Sequence, residues 1–364
     1  MIKPGVSIIV CCHNGASRLP ETVRHIALQN VPSYIPWEFI LIDNASTDNS
    51  VSVTEAVWDF YNSSKTLRVV HEPELGLSFA RARGFAEARY EYVIMCDDDN
   101  WLIPDYARLA YSIMEEKKRI GALGGNGKLV FEVQPEKWLE NSGIFAAGEQ
   151  GVTSGRVPSC RVYGAGCVIR KSAYEKLKQV GFTSLLTDRK GSDLSSGGDH
   201  ELCYALSIMG YSIWYDERLK FDHFITRERL TWEYFIRYAK ESTSCFDVLT
   251  SYKMIALDIN SYKFSFLALG RDFVYCLRRF ITVSAQRLII RSDSVEGKLL
   301  YFKFVILKRK MVSYFSKFNA MVENHNEILK FKEACVRAQF IEKPKLKPHT
   351  LFAIFSLGLF RQPQ

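Results

Sequence analysis

The chain has 364 residues, 47% of them hydrophobic and 24% charged, with a formal net charge of +8. That composition buries a full-sized core and excludes a disordered, collagen-like or disulfide-stapled miniature protein. From Leu230 onward 22 Lys and Arg face 11 Asp and Glu, so the positive surplus belongs to the tail and the part before it is slightly acidic. Nine scattered cysteines lack the paired spacing of a zinc site or a secreted framework and predict a reducing, cytoplasmic compartment. No run of about 18 uncharged apolar residues occurs, so no transmembrane helix is expected.

In chain order, Val6 to Cys12 reads as a buried strand, too short for a signal-peptide core and followed by polar His13-Asn14-Gly15. Leu19, Val23, Ile26 and Ala27 then share one helical face, with Ser17 placed to cap. A second strand, Glu38 to Ile42, ends at Asp43-Asn44, and a helix with Val53, Val57, Phe60 and Tyr61 on one face follows Thr47-Asp48. Leu67 to Val70 and Tyr92 to Cys96 are the third and fourth apolar runs, and the fourth stops at Asp97-Asp98-Asp99. Short apolar runs alternating with helical spacing predict an α/β fold with a doubly wound, mostly parallel sheet, whose ligands sit beyond the carboxyl ends of the strands.

From Gly121 to Phe182 short strands and Gly-rich turns are expected, including Tyr163-Gly164-Ala165-Gly166, on what reads as the acceptor side. Thr183 to Gly198 reads as a mobile polar loop, and a helix follows with Leu202, Ala205, Leu206 and Met209 on one face, stopped by Gly210. Beyond that the chain reads as mostly helix. The expected division is a catalytic domain over 1–229 and a basic helical extension over 230–364. Aromatic residues interleaved with Arg278, Arg279, Arg287, Lys303 and Lys308 to Lys310 favour an anionic membrane surface over nucleic acid as the partner of that extension. A tail that only packs on the catalytic domain is the competing expectation.

Three consecutive aspartates after a buried strand repel one another unless something positive neutralises them. A hard divalent cation, Mg²⁺ or Mn²⁺, takes one or two carboxylates and completes its shell with phosphate oxygens and water, so Asp97 to Asp99 suit a nucleoside diphosphate.

At this point the sequence resembles the family 2 glycosyltransferases, which have the A-type nucleotide-sugar transferase fold. The resemblance runs through VSIIVCCHNGASRLPETV, WEFILIDNASTDNSV, ELGLSFARARGFAEARYEYVIMCDDD, VYGAGCVIRKSAYEKLKQVGF and SSGGDHELCYAL, about the first 225 residues. It implies an inverting, metal-dependent transfer of one sugar from a nucleotide-sugar donor to the hydroxyl of a glycan or lipid-linked glycan in cell-surface glycan assembly; the cysteines and the basic tail add an expected place at the inner face of the plasma membrane. Residue by residue, it implies donor contacts from Cys12, His13, Asn14, Asp43, Arg81, Asp97 and Asp98. Asp99 with His223 would hold Mn²⁺ or Mg²⁺. Asp199 would be the catalytic base, with Gly164, Ala165, Gly166 and Glu201 on the acceptor side. Two departures stand out: Arg83 replaces a usual Asn, and Gly198 replaces the usual Glu before Asp199.

An inverting displacement needs such a layout, with a carboxylate taking the acceptor proton on one face and a cation at the leaving diphosphate on the other. Asp199 is expected at a helix N-terminus, where the dipole favours its ionised form. Tyr163 and Trp138 are expected as core aromatics before sugar platforms. Cys12-His13-Asn14-Gly15 is not the Arg-containing phosphate loop of a nucleotidyltransferase, and no Gln-x-x-Arg-Trp segment marks a processive synthase. Transfer to a polyprenyl phosphate and a non-catalytic scaffold are the remaining alternatives.

Overall fold

The structure is a computed structural model that describes residues 2–61, 66–140, 142–191, 193–257 and 266–340. Strands β1 (Lys3–Cys12), β2 (Trp37–Asn44), β3 (Leu67–Glu72) and β4 (Tyr90–Asp97) pair in parallel in the order β3-β2-β1-β4, joined by α1 (Leu19–Ala27), α2 (Ser50–Phe60) and α3 (Leu77–Glu87). All eight positions of β2 are buried, because helices cover both faces of this part of the sheet. The carboxylate at the start of that run, Glu38, accepts from Ser7 Oγ at 2.8 Å and the Arg89 N–H at 2.7 Å. A buried charge persists only with such partners.

Two local expectations are corrected. Ser17 does not cap α1, which opens instead with Pro20 in its first turn, where a missing N–H costs nothing. α2 buries Ser50, Thr54 and Trp58, while Phe60 is 80% exposed. The larger indole, packed on Trp37 and Phe39, leads the buried face with Val57 against the same cluster, and Phe60 is left outside it.

The second half contains β5 (Asn100–Leu102), α4 (Tyr106–Glu116), β6 (Ile120–Phe131), α5 (Lys137–Glu140), β7 (Gly155–Arg156), β8 (Val168–Arg170), α6 (Lys171–Gln179), α7 (Gly198–Ile208) and β9 (Ser212–Ile225). They extend the sheet as β4-β8-β6-β9-β5, with β8 antiparallel to both its neighbours and β7 pairing β9. β5 leaves the aspartates directly and sets Asn100 opposite His223.

Helices α8 (Trp232–Glu241), α9 (Phe246–Leu257), α10 (Phe266–Ile289), α11 (Val295–Ser316) and α12 (Phe318–Arg337) make the extension. Its packing does not break at position 230. Val248, Tyr252 and Ile255 of α9 and Ile328 of α12 lie in one buried cluster with Leu202, Ala205 and Leu206 of α7 and residues of the sheet. Phe235 and Phe302 pack likewise around Trp138, which is 1% exposed and therefore a core aromatic. Residues 341–364 of the expected extension lie outside the described residues.

Candidate active site

Parallel register brings three strand ends to one edge. Cys12 of β1 lies beside Asp43 of β2 and Cys11 beside Asp97 of β4, so the polar residues that follow these apolar runs converge. The first turn is stitched to the second by side chains. His13 Nδ1 lies 2.8 Å from the Asn44 carbonyl, which only a protonated Nδ1 satisfies. Asn14, at a φ of +51° that Asn tolerates, accepts from the Thr47 N–H at 2.8 Å. Asn44 donates to the carbonyls of Glu72 and Glu74 and accepts from the Gly76 N–H, bracing the start of α3. Asp43 accepts from the Ser46 N–H and meets His71 Nδ1 at 2.9 Å.

The aspartates divide their work. Asp98 forms a two-pronged pair with Arg18, at 3.1 Å to Nε and 2.6 Å to Nη2, and its carbonyl accepts from Thr22 Oγ1. In this structure it anchors α1. The Cys12 side chain is not open to a ligand: at 2% exposure it packs beneath the turn, with Sγ 3.5 Å from Asp98, and burial pushes its thiol far up. Burial raises the Asp97 carboxyl against the pull of Arg81.

Asp99 accepts from Asn100 Nδ2 at 3.0 Å and from Arg229 Nη1 at 2.8 Å, and lies 3.5 Å from His223 Nε2. Burial pushes its carboxyl up, but His223 and Arg229 outweigh this and hold it far below the usual carboxylate range. His223 Nδ1 faces the Ala146 carbonyl at 3.0 Å and so carries a proton, which turns Nε2 toward Asp99. His223 Nε2 and the Asp99 carboxylate oxygen facing each other suit a cation between or beside them; here the Arg229 guanidinium supplies a positive charge. Among the described residues no three His, Cys, Asp or Glu gather into a closed metal cage. The pair Asp99 and His223 fits the open kind of site that phosphate and water complete.

On the far side of Arg81 stands Asp199, in the first turn of α7. Its carboxylate accepts from the Gly164 N–H and the His200 N–H, both at 2.8 Å. Burial pushes the carboxyl up, but His200, Arg81 and these two N–H groups outweigh it, so Asp199 lies below its ordinary range and is ionised. Gly164 is glycine because a Cβ there would lie 3.1 Å from both Arg81 Nη2 and Asp199 Cβ. Gly166 has a φ of +67°, and a Cβ there would meet the Tyr106 hydroxyl at 2.7 Å, while Ala165 is buried between them. Gly166→Ala is expected to cost about 1–2 kcal/mol from the backbone alone, read as a lowered urea midpoint; an unchanged midpoint contradicts this.

Glu201 is not on the acceptor side. It is 1% exposed, and its carboxylate accepts from Ser184 Oγ and from the N–H groups of Leu185 and Leu186, because two residues along a helix turn it to the opposite face from Asp199. Arg83 is half exposed and pairs with Glu87. Three residues that sequence reasoning passed over hold the site: Arg18, Arg229 and Asp188, whose carboxylate is 2.8 Å from Arg81 Nη1. Asp188 lies in a loop whose polar composition signals only mobility, and the other two arginines carry no local mark.

Residues 7–177 match the model of glycosyl transferase family 2. The chain is similar to the cholesterol galactosyltransferase of Borreliella burgdorferi, 33% identical over 98 residues that make 27% of this chain and 26% of that protein. It is also similar to the poly-β-1,6-N-acetyl-D-glucosamine synthase of Staphylococcus epidermidis, 26% identical over 224 residues, or 59% of this chain and 48% of the relative. The chain thus spans between about a quarter and about a half of the length of these relatives. The solved structure of the mannosyltransferase PcManGT from Pyrobaculum calidifontis in complex with GDP-Man and Mn²⁺ follows the same fold, with a TM-score of 0.52 at 16% identity over 86% of this chain and 88% of that one. Sequence match and chain course agree: residues 7–177 form a region similar to glycosyl transferase family 2, and the chain has the A-type nucleotide-sugar transferase fold.

Proposed function

We propose that the chain is an inverting glycosyltransferase that moves a single sugar from a nucleoside-diphosphate sugar to an acceptor hydroxyl. The observation that carries this reading is the ionised Asp199, held by the Gly164 N–H and separated from the strand-end aspartates by Arg81. Asp199 accepts the acceptor proton as the new glycosidic bond forms. Arg81, drawn on by both Asp97 and Asp199, presents positive charge toward the donor side. Asp43 would accept from the donor base, whose arrival displaces the largely exposed His71 ring. His13 and Asn14 shape that pocket through the turn they stitch.

Asp99 and His223 would hold Mn²⁺ or Mg²⁺, which when bound acts as a Lewis acid at the leaving diphosphate. Arg229 must then release Asp99. The mannosyltransferase with GDP-Man and Mn²⁺ supports this metal assignment by its fold, and the poly-N-acetylglucosamine synthase supports a place in cell-surface glycan assembly. A panel of nucleotide sugars with Mn²⁺ or Mg²⁺, scored by diphosphate release and thermal shift, tests it. The true donor at 100 times its Kd stabilises the fold by about 2.7 kcal/mol. Full turnover in a chelator would remove the metal from the account.

We further infer that α10 holds the protein on an anionic lipid surface presenting a lipid-linked acceptor, on the cytoplasmic side. Leu267, Val274, Ile281 and Leu288 recur every seventh residue and are all exposed, Leu267 and Leu288 at 85% and 89%. Exposed Arg271, Arg278 and Arg279 accompany them, while the acidic residue of α10, Asp272, is spent on Lys253, Lys310 and Tyr314. The basic set expected from sequence is thereby narrowed: Lys310 pairs internally and Arg287 stacks on Phe304 and Tyr301. No helix of the described residues is long and apolar enough to cross a membrane, which leaves surface attachment for this face. Arg278→Glu with Arg279→Glu should weaken co-sedimentation with anionic vesicles by roughly 1 kcal/mol for each charge lost, and salt should do the same. Binding indifferent to both changes would assign the face to a second copy or another protein.

A further inference from the structure

Arg81 is largely buried and sits among three carboxylates, those of Asp97, Asp188 and Asp199. The direct ion pair is with Asp188, at 2.8 Å. Asp188 comes from the polar segment between α6 and α7 and is 5% exposed, so the segment expected to be mobile is tied down here. Its neighbours fasten it on either side: the Thr187 carbonyl accepts from Ser78 Oγ at 3.1 Å and the Arg189 carbonyl from the Leu77 N–H at 2.9 Å. Both donors belong to the first turn of α3, the helix that carries Arg81.

The Asp188 carboxylate occupies a place that another residue leaves empty. A Cβ on Gly198 would lie 2.8 Å from Asp188 Oδ2 and 3.3 Å from its Cγ. Gly198 immediately precedes Asp199, at the position where the resemblance leads one to expect Glu. We propose that Asp188 is a positioning residue, delivering through the loop the carboxylate that a side chain at 198 would otherwise bring, and so fixing Arg81 between the donor edge and the base. The chain of contacts closes: Asp188 holds Arg81, Arg81 packs against Gly164, and the Gly164 N–H holds Asp199. Loop docking and base placement are therefore one event. This rests on the reading of Asp199 as the base.

The test moves the carboxylate. Asp188→Asn keeps the shape and removes the charge; turnover should fall on the order of 10²-fold, the loss that an ångström of misplacement brings, with nucleotide affinity little changed. Asp188→Gly should lose as much, and Asp188→Gly with Gly198→Glu should regain most of it, since Gly198 has an ordinary backbone conformation and the space is then free. A second readout needs no substrate: trypsin cleavage after exposed Arg189 and Lys190 should quicken in Asp188→Asn and stay fast in the relocated variant, whose loop is unfastened. Wild-type turnover in Asp188→Asn, or a relocated variant no more active than Asp188→Gly at equal melting temperature, overturns the proposal. A wild-type protein inactive with every donor removes the reading of Asp199 instead, and the trypsin rates then decide whether Asp188 fastens the loop.

Discussion

Asp199→Asn is expected to lower turnover by about 10² or more while leaving nucleotide affinity near its wild-type value. A base acts in the transition state, where the acceptor proton moves, and contributes little to binding of the donor in the ground state. Asn preserves the volume and one acceptor for the Gly164 N–H, so the fold should survive. Because His200, Arg81 and two N–H groups overcome burial and keep the Asp199 carboxyl below its ordinary range, the acid limb it contributes to the rate profile lies below about pH 4. The measurement is kcat against pH beside calorimetric nucleotide binding. A variant with near wild-type turnover would move the base elsewhere; Glu201, locked to residues 184–186, is not available for that role.

Asp99→Ala should abolish turnover and also cost stability. It removes the carboxylate between Arg229 and His223, leaving a guanidinium only 17% exposed without its counter-charge and an imidazole 5% exposed without its partner. Breaking a buried pair from one side costs about 3–5 kcal/mol. The sign with pH follows from the depressed carboxyl: the contribution of Asp99 is complete above about pH 4 and is lost as pH falls through its folded value, so the stability gap between wild type and variant closes in strong acid. Urea midpoints at two pH values check this. Arg229→Gln should act in the opposite sense on metal: by freeing Asp99 it should tighten Mn²⁺ binding measured without nucleotide. Equal Mn²⁺ affinity in that variant would mean that Arg229 does not compete for the carboxylate.

The parts of this molecule that could be read in advance are those written locally. An apolar run that stops at charged residues locates a strand end, and parallel register then carries Asp43 and Asp97 to one edge without further information. Asp199 at a helix start was legible for the same reason. What sequence hid was which partner each charge takes. Arg18 reaches Asp98 across 80 residues, Asp188 reaches Arg81 across 107 and Arg229 reaches Asp99 across 130, and no local pattern encodes such pairings. Burial was hidden in the same way: Cys12 and Glu201 stand beside functional positions in sequence yet point into the interior, while Phe60 gave up its expected face to the larger Trp58.

In the proposed reaction, a single displacement, Asp199 takes the acceptor proton opposite the leaving diphosphate. Proton NMR of the product glycoside, compared with the anomer of the nucleotide sugar consumed, tests it most directly. The product is expected to have the opposite anomeric configuration. A product that retains the donor configuration would contradict it, because retention requires two displacements or a front-face route in which Asp199 has no part as a base.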